Sequence, residues 1–173
     1  YGKDWLVGDT LNSAIGQGYV LASPLQLAVM AARIATGRAV APRLVQAVDD
    51  KPLPDPEFPL LEIAPENLAA VRAGMFAVMN GKRGTASASR TVDETILMAG
   101  KTGTSQVRNI TAAERAAGVT RNEDLPWERR DHALFVCYAP ADNPRVAVSV
   151  VVEHGGGGST AAAPLARDIL LFA

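Results

Sequence analysis

Two apolar runs, residues 132–139 and 145–153, constrain this chain more than any other feature. In the second, Val146, Val148, Val150 and Val152 share one face of an extended strand, and Ala147, Ser149 and Val151 share the other. In the first, Leu134, Phe135, Val136, Cys137 and Tyr138 follow without a break. The Pro-Ala-Asp-Asn-Pro link at residues 140–144 is short and made of turn residues, so the runs are predicted to pair as an antiparallel hairpin. Both faces of that hairpin are largely apolar. It has to be covered on two sides.

Helical spacing supplies candidates for the cover. Ser23 and Pro24 form a helix start, serine as N-cap and proline at the first helical position. Leu25, Ala28, Val29, Ala32 and Ala35 follow as a core helix of small residues that Gly37 ends. Pro65 opens a second helix with an apolar stripe of Leu68, Val71, Met75, Val78 and Met79; Glu66, Arg72 and Lys82 lie off the stripe, and Gly81 ends it. A closing helix carries Ala162, Leu165, Ala166, Ile169 and Leu170 on one side. The glycines at 155–158 before it read as a tight entry with Ser159 or Thr160 as N-cap, or alternatively as an anion site. Residues 1–18, with Gly2, Gly8, Gly16 and Gly18, read as a loop leading into a short strand over residues 14–19. Residues 39–48 read as a strand through Val40, Leu44, Val45 and Val48. Pro52, Pro54, Pro56 and Pro59 then impose an extended surface connector. Residues 82–86 lack the Gly-Lys-[Ser/Thr] order of a phosphate loop and read as a turn.

Totals exclude several function classes. With 17 basic against 18 acidic residues there is no electrostatic case for nucleic acid or an anionic membrane. The 173 residues fit one domain or a large piece of one, and 48% apolar composition is enough for a core. No apolar stretch is long enough to span a bilayer. The single Cys137 lies inside an apolar run, reads as a buried structural thiol, and leaves the redox compartment open. His132 and His154 are isolated, outside any metal-ligand spacing, and read as structural histidines, so no metal site is expected.

One stretch carries chemistry. The apolar run Thr-Ile-Leu-Met at residues 95–98 is of the kind that makes a buried strand, and Ala-Gly-Lys-Thr-Gly-Thr-Ser-Gln-Val follows at residues 99–107. Strand alternation puts Lys101 and Gly103 on one face and Thr102 and Thr104 on the other. An ammonium, two hydroxyls and an open strand edge suit an anionic, peptide-like ligand, and Gly103 permits close approach to the backbone. The bland alternative is an edge strand with a solvated lysine. By itself a Lys-[Ser/Thr]-Gly triplet is expected in roughly one chain in ten of this length at average composition, so the wider chain has to decide. Residues 108–131 are polar and charge-dense with a lone Trp127, and suit either a lid or binding loop or a surface loop with one aromatic anchor.

The wider chain resembles a known family. Gly-Asp-Thr at residues 8–10, Ile-Gly-Gln-Gly-Tyr at 15–19 and Ser-Pro-Leu-Gln-Leu-Ala at 23–28 are similar, in series, to class B penicillin-binding proteins, and most of all to their elongation-type D,D-transpeptidases. So are residues 99–107, Asp-His-Ala-Leu-Phe at 131–135, Tyr-Ala-Pro at 138–140 and the stretch 153–158 before a last helix. The resemblance implies an α/β (α+β) fold in which an antiparallel sheet is sandwiched by helices. It implies a cell-wall transpeptidase that cross-links peptidoglycan stem peptides through a serine acyl-enzyme, binds β-lactam antibiotics and uses no cofactor. It also implies a place at the periplasmic face of the bacterial inner membrane beside a membrane glycosyltransferase of the elongation machinery. By resemblance Lys101 acts at the catalytic centre, contacting a partner serine and the substrate carboxylate; the Thr104 backbone N–H is one oxyanion donor; and Thr102, Gly103, Thr104, Ser105 and Gln106 bind substrate.

Two motifs of that family are absent from these residues. Ser13, Ser23, Ser87, Ser89, Ser105, Ser149 and Ser159 all lack a lysine three positions on, and Ser87 and Ser105 have Arg90 and Arg108 there instead. Arginine stays protonated and cannot stand in for a lysine base. No Ser-x-Asn occurs. The expectation is therefore that residues 1–173 are the C-terminal portion of a transpeptidase domain whose N-terminal portion carries the nucleophile, and that they are inactive alone. Non-catalytic binding of penicillin or peptidoglycan, and a D,D-carboxypeptidase or β-lactamase activity, are the alternatives.

Overall fold

The computed structural model describes residues 2, 4–18, 20–108 and 110–173. In chain order the elements are α1 (Val7–Ala14), α2 (Pro24–Thr36), β1 (Ala47–Val48), β2 (Lys51–Pro52), α3 (Pro65–Asn80), β3 (Ala99–Ser105), α4 (Ala112–Ala117), β4 (His132–Ala139), β5 (Val146–Val152) and α5 (Ala163–Phe172). The sheet is antiparallel in the order β3-β4-β5. Its register runs from Ala99 opposite Tyr138 to Ser105 opposite His132, and from Ala133 opposite Val152 to Ala139 opposite Val146. The hairpin predicted from the valine alternation is β4-β5, closed by the Arg145 N–H donating to the Ala139 carbonyl at 2.9 Å.

Both faces are covered by helices. On one, Ala133, Phe135 and Cys137 pack with Ala162, Ala163, Ala166 and Leu170 at the C-terminal helix, and with Met79 of α3. Val148, Val150 and Val152 close the same cluster. On the other, Tyr138 and Ala99 pack with Ala35 of α2 and Met75 of α3. Helix α3 thus reaches both clusters and lies against β3, where the Asn80 side-chain amide donates to the Met98 carbonyl at 2.8 Å.

Helix α2 has the predicted ends. The Ser23 hydroxyl accepts from the Gln26 N–H at 3.3 Å, the Gln26 side chain returns a bond from the Ser23 N–H at 2.8 Å, and Gly37 closes the helix at φ +70°. Only Ala31 and Ala35 of this helix are fully buried. Leu25 and Met30 are exposed, so one face is core and the other is not.

Several expectations are corrected. Residues 7–14 are helix rather than loop, because the Asp9 carboxylate accepts from the Leu6 N–H at 2.9 Å and starts a turn that no serine or threonine announces. The strand expected at 14–19 is a turn through Ile15 and Gly16, and Tyr19 lies outside the described residues. Residues 39–48 form no long strand: only Ala47–Val48 pairs, with Lys51–Pro52, because no sheet edge lies beside the rest. Residues 94–96 coil into a 3-10 turn where the Asp93 carboxylate accepts from the Thr95 N–H and hydroxyl, and the strand begins at Ala99. Arg72 is half-buried, donating from Nε to the Ile34 carbonyl at 2.6 Å, and so belongs to the α2–α3 contact. Neither Ser159 nor Thr160 caps the last helix; a wide π-type turn over Gly158–Ala162 leads into it from Gly157.

Candidate functional site

Strand β3 is an edge strand, and it carries every residue singled out for chemistry except Gln106, which follows it. The strand enters the sheet buried at Ala99 and Gly100 and leaves it exposed at Thr104 and Ser105. Gly100 is required by packing: a Cβ there would lie 2.5 Å from the Phe135 ring. Lys101 is exposed, and its ammonium donates to the neighbouring Thr102 carbonyl at 2.7 Å. No carboxylate among the described residues pairs with it. The next cation along, Arg108, is different: it is spent on Glu114 in a half-buried pair at 2.6 Å.

Thr102 is half-buried, and its hydroxyl lies 3.4 Å from that of Thr85. Gly103 sits back to back with Gly158. A Cβ on Gly158 would collide with the Leu134 carbonyl and lie 2.5 Å from the Gly103 oxygen, so the turn entering the last helix rests directly on the backbone of β3. The Thr104 carbonyl accepts a long 3.4 Å contact from the Gln17 side-chain amide. Gln106 is turned toward the segment after the strand, where it lines a cavity of about 50 Å³ with Arg108, Asn122 and Asp131 among others.

Residues 108–131 leave β3 and return as β4. Residues 110–131 make contacts of their own: Thr111 caps α4, Arg130 donates to the Leu125 and Glu123 carbonyls, and the Asn122 side chain accepts from the Asp131 N–H at 2.9 Å. Trp127 is exposed, with its ring 4.4 Å from that of His154. His132 and His154 are both satisfied by hydrogen bonds, as structural histidines should be. Among the described residues no group of three or more His, Cys, Asp or Glu side chains is placed to hold a metal ion.

The arrangement presents an ammonium with no carboxylate partner among the described residues, two threonine hydroxyls on the other face of the strand, and an uncovered strand edge. A combination of that kind suits an extended peptide, which can pair with the strand backbone, and an anionic group, which can take charge-assisted bonds. Three residues around β3 carried no recognisable signal for this role. Gln17 lay in a motif that drew attention for resemblance alone, Thr85 lay in a segment read as a turn, and Gly158 lay in a glycine run whose close approach to β3 only the fold reveals.

Comparison with known proteins matches residues 2–171 to the penicillin binding protein transpeptidase domain. The chain is 39% identical over 176 residues to the peptidoglycan D,D-transpeptidase MrdA of Haemophilus influenzae, covering 98% of this chain and 26% of that protein. Among solved structures it superposes on Pseudomonas aeruginosa PBP2 in complex with WCK 5153 with a TM-score of 0.75 at 39% identity, covering 96% of this chain and 34% of that one. It superposes on PBP2 from a Helicobacter pylori complex with MreC with a TM-score of 0.73 at 36% identity, covering 95% and 27% respectively. The chain therefore spans about a quarter of the length of the curated relative it matches.

Proposed function

The chain belongs to the penicillin-binding protein transpeptidase domain family, and we propose that it forms one wall of the acyl-transfer cleft of a peptidoglycan D,D-transpeptidase. The observation that carries this is the position of Lys101, Thr102, Gly103 and Thr104 on a free sheet edge, within a match that runs the length of the chain. The remainder of the domain supplies the Ser-x-x-Lys and Ser-x-Asn motifs that these residues lack, which makes residues 1–173 the C-terminal portion of the domain and inactive alone.

In this reading the serine hydroxyl attacks the carbonyl of the penultimate D-alanine. The D-alanyl-D-alanine amide bond breaks, the leaving amine takes a proton, and an acyl-enzyme ester remains. A stem amine on a neighbouring strand then attacks the ester, forms the cross-link and returns the serine. The Thr104 backbone N–H donates to the oxyanion of each tetrahedral intermediate, and such preorganised donors are typically worth about 2.7–4 kcal/mol of barrier. Lys101 and the Thr102 and Thr104 hydroxyls hold the substrate carboxylate, with Ser105 and Gln106 further along the same edge. Gly103 lets the acyl donor lie antiparallel against the strand. β-Lactams enter as mimics of the acyl donor.

The similarity to MrdA and PBP2 supports a role for the complete polypeptide in cell-wall synthesis. One solved relative is in complex with MreC, and an MreC-type partner and a membrane glycosyltransferase are proposed for the complete polypeptide, at the periplasmic face of the inner membrane. No helix among the described residues is long and apolar enough to cross a membrane. Labelling the complete polypeptide with fluorescent penicillin tests the reading: a covalent adduct that disappears when the Ser-x-x-Lys serine is replaced is expected. No adduct, or one indifferent to that serine, contradicts it. D-Alanine release without cross-link formation would assign a carboxypeptidase instead.

A further inference from the structure

The end of the sheet beyond Ser105 is held by two histidines that the acyl transfer does not use. His132, the first residue of β4 and the register partner of Ser105, accepts at Nδ1 from the backbone N–H of His154 at 2.9 Å. His154 places its own Nδ1 2.8 Å from the Arg130 carbonyl oxygen. A carbonyl only accepts and a backbone N–H only donates, so His154 carries its proton on Nδ1 and His132 leaves Nδ1 bare. The two rings meet edge to face at 4.7 Å, and Trp127 lies 4.4 Å from His154 on its other contact.

His154 is held at φ +55°, in the left-handed region that few residues other than glycine occupy. The turn it begins is pinned again two residues on, where the Gly156 N–H donates to the Asp131 carbonyl at 2.9 Å. Two residues further, Gly158 meets the backbone of β3 at Gly103. An unbroken set of contacts therefore runs from the His132 ring through the glycine turn to the strand that lines the cleft.

We propose that His132 is a positioning residue for acyl transfer: as a hydrogen-bond acceptor it holds the glycine turn in the left-handed step that seats Gly158 on Gly103, and so fixes the β3 edge against the nucleophile. This rests on the reading of β3 as the cleft wall. His132 touches no substrate, and its role is defined by one acceptor atom. Asparagine puts an amide oxygen where that atom lies, phenylalanine keeps the ring without it, and glutamine puts its oxygen where Nε2 lies.

The test is the acylation of the complete polypeptide by fluorescent penicillin, resolved into reversible binding and the acylation step, with a thermal melt for each variant. His132→Phe is expected to slow the acylation step about tenfold, as a misplaced donor does, with reversible binding little changed. His132→Asn is expected to stay within about threefold of wild type, because a rotated amide offers the same acceptor. Should His132→Phe not fold, His132→Gln is expected to fold and to be slow. A Phe or Gln variant as fast as wild type, an Asn variant as slow as either, or a loss confined to reversible binding overturns the proposal. A wild-type polypeptide that penicillin does not label overturns the cleft reading with it; a labelled wild type with indifferent His132 variants overturns this inference alone.

Discussion

At the scale of residues, two glycines and a cysteine make the sharpest statements. Gly158→Ala has nowhere to put its methyl group, since the Leu134 carbonyl and the Gly103 backbone occupy the space. It is expected to cost roughly 1–3 kcal/mol of stability, as overpacking does, and to slow penicillin acylation. Gly74→Ala, on α3 with nothing within 4 Å of the new methyl, is expected to leave stability unchanged or raise it by about 0.5–1 kcal/mol. Denaturant melts of the complete polypeptide carrying each change check the contrast; equal effects would contradict the packing described. Cys137 is fully buried, and burial pushes its thiol up to about 12. The folded protein is expected to resist thiol alkylation until it unfolds. Because the folded value is the higher one, the contribution is complete below the ordinary thiol value of about 8.5 and is lost as pH rises from there toward about 12, so stability should fall over that alkaline range. The buried thiol was legible from its apolar neighbours. The seat of Gly158 was not, because residues 55 positions apart in sequence meet only once the sheet is covered.

At the scale of elements, legibility followed the strength of the local signal. Ser23, Pro24 and Gly37 delimit α2 by satisfying helix-end groups within the segment itself, so sequence was enough. Ser23→Ala is expected to cost about 1 kcal/mol, read from a urea melt of the complete polypeptide, while a change within error would mean that the α2 contacts with the sheet carry the helix end alone. The hairpin was equally plain, because alternation of apolar residues is a property of the strand and not of its partners. Helix α1 was missed because its start depends on Asp9 reaching back to the Leu6 amide in a segment rich in glycine. Residues 39–48 were overread: alternation makes a strand only where a sheet edge is available, and here a single Arg38–Leu60 bridge and the β1-β2 ribbon are the pairings made. The start of β3 was misplaced because two side chains intervene. Asp93 turns the chain over residues 94–96, and the Thr91 hydroxyl donates to the Ile96 carbonyl at 2.8 Å. Hydrogen bonds from Thr95 hold the exposed Asp93 carboxyl below its usual range, so this turn is expected to loosen as pH falls through that lowered value.

At the scale of the whole molecule, the sheet is covered on both faces, yet much apolar surface remains outside. Trp5, Leu6, Leu11, Ile15 and Leu21 near one end, and Leu165, Ile169, Leu171 and Phe172 near the other, are all exposed. A groove of about 530 Å³ between α2 and the chain around Leu61 and Ile63 is lined mainly by apolar side chains. Exposed apolar area on this scale marks surface that something covers. Residues 1–173 prepared alone are therefore expected to bind a hydrophobic dye strongly and to melt without a sharp transition; a dye-silent, cooperatively melting monomer would contradict that. The family was legible because its signature resides in contiguous motifs.

The account stands or falls on Lys101 as the cleft's cation. Its side chain is exposed and bonds only to the adjacent carbonyl, so Lys101→Ala should change the stability of the complete polypeptide by no more than about 0.5 kcal/mol. The decisive measurement is the second-order rate of acylation of that variant by fluorescent penicillin. A fall of about a hundredfold or more, with the melting temperature retained, is the result this account predicts from loss of an electrostatic group at the reacting centre. Acylation at the wild-type rate would contradict it, and would return β3 to an ordinary edge strand with a solvated lysine.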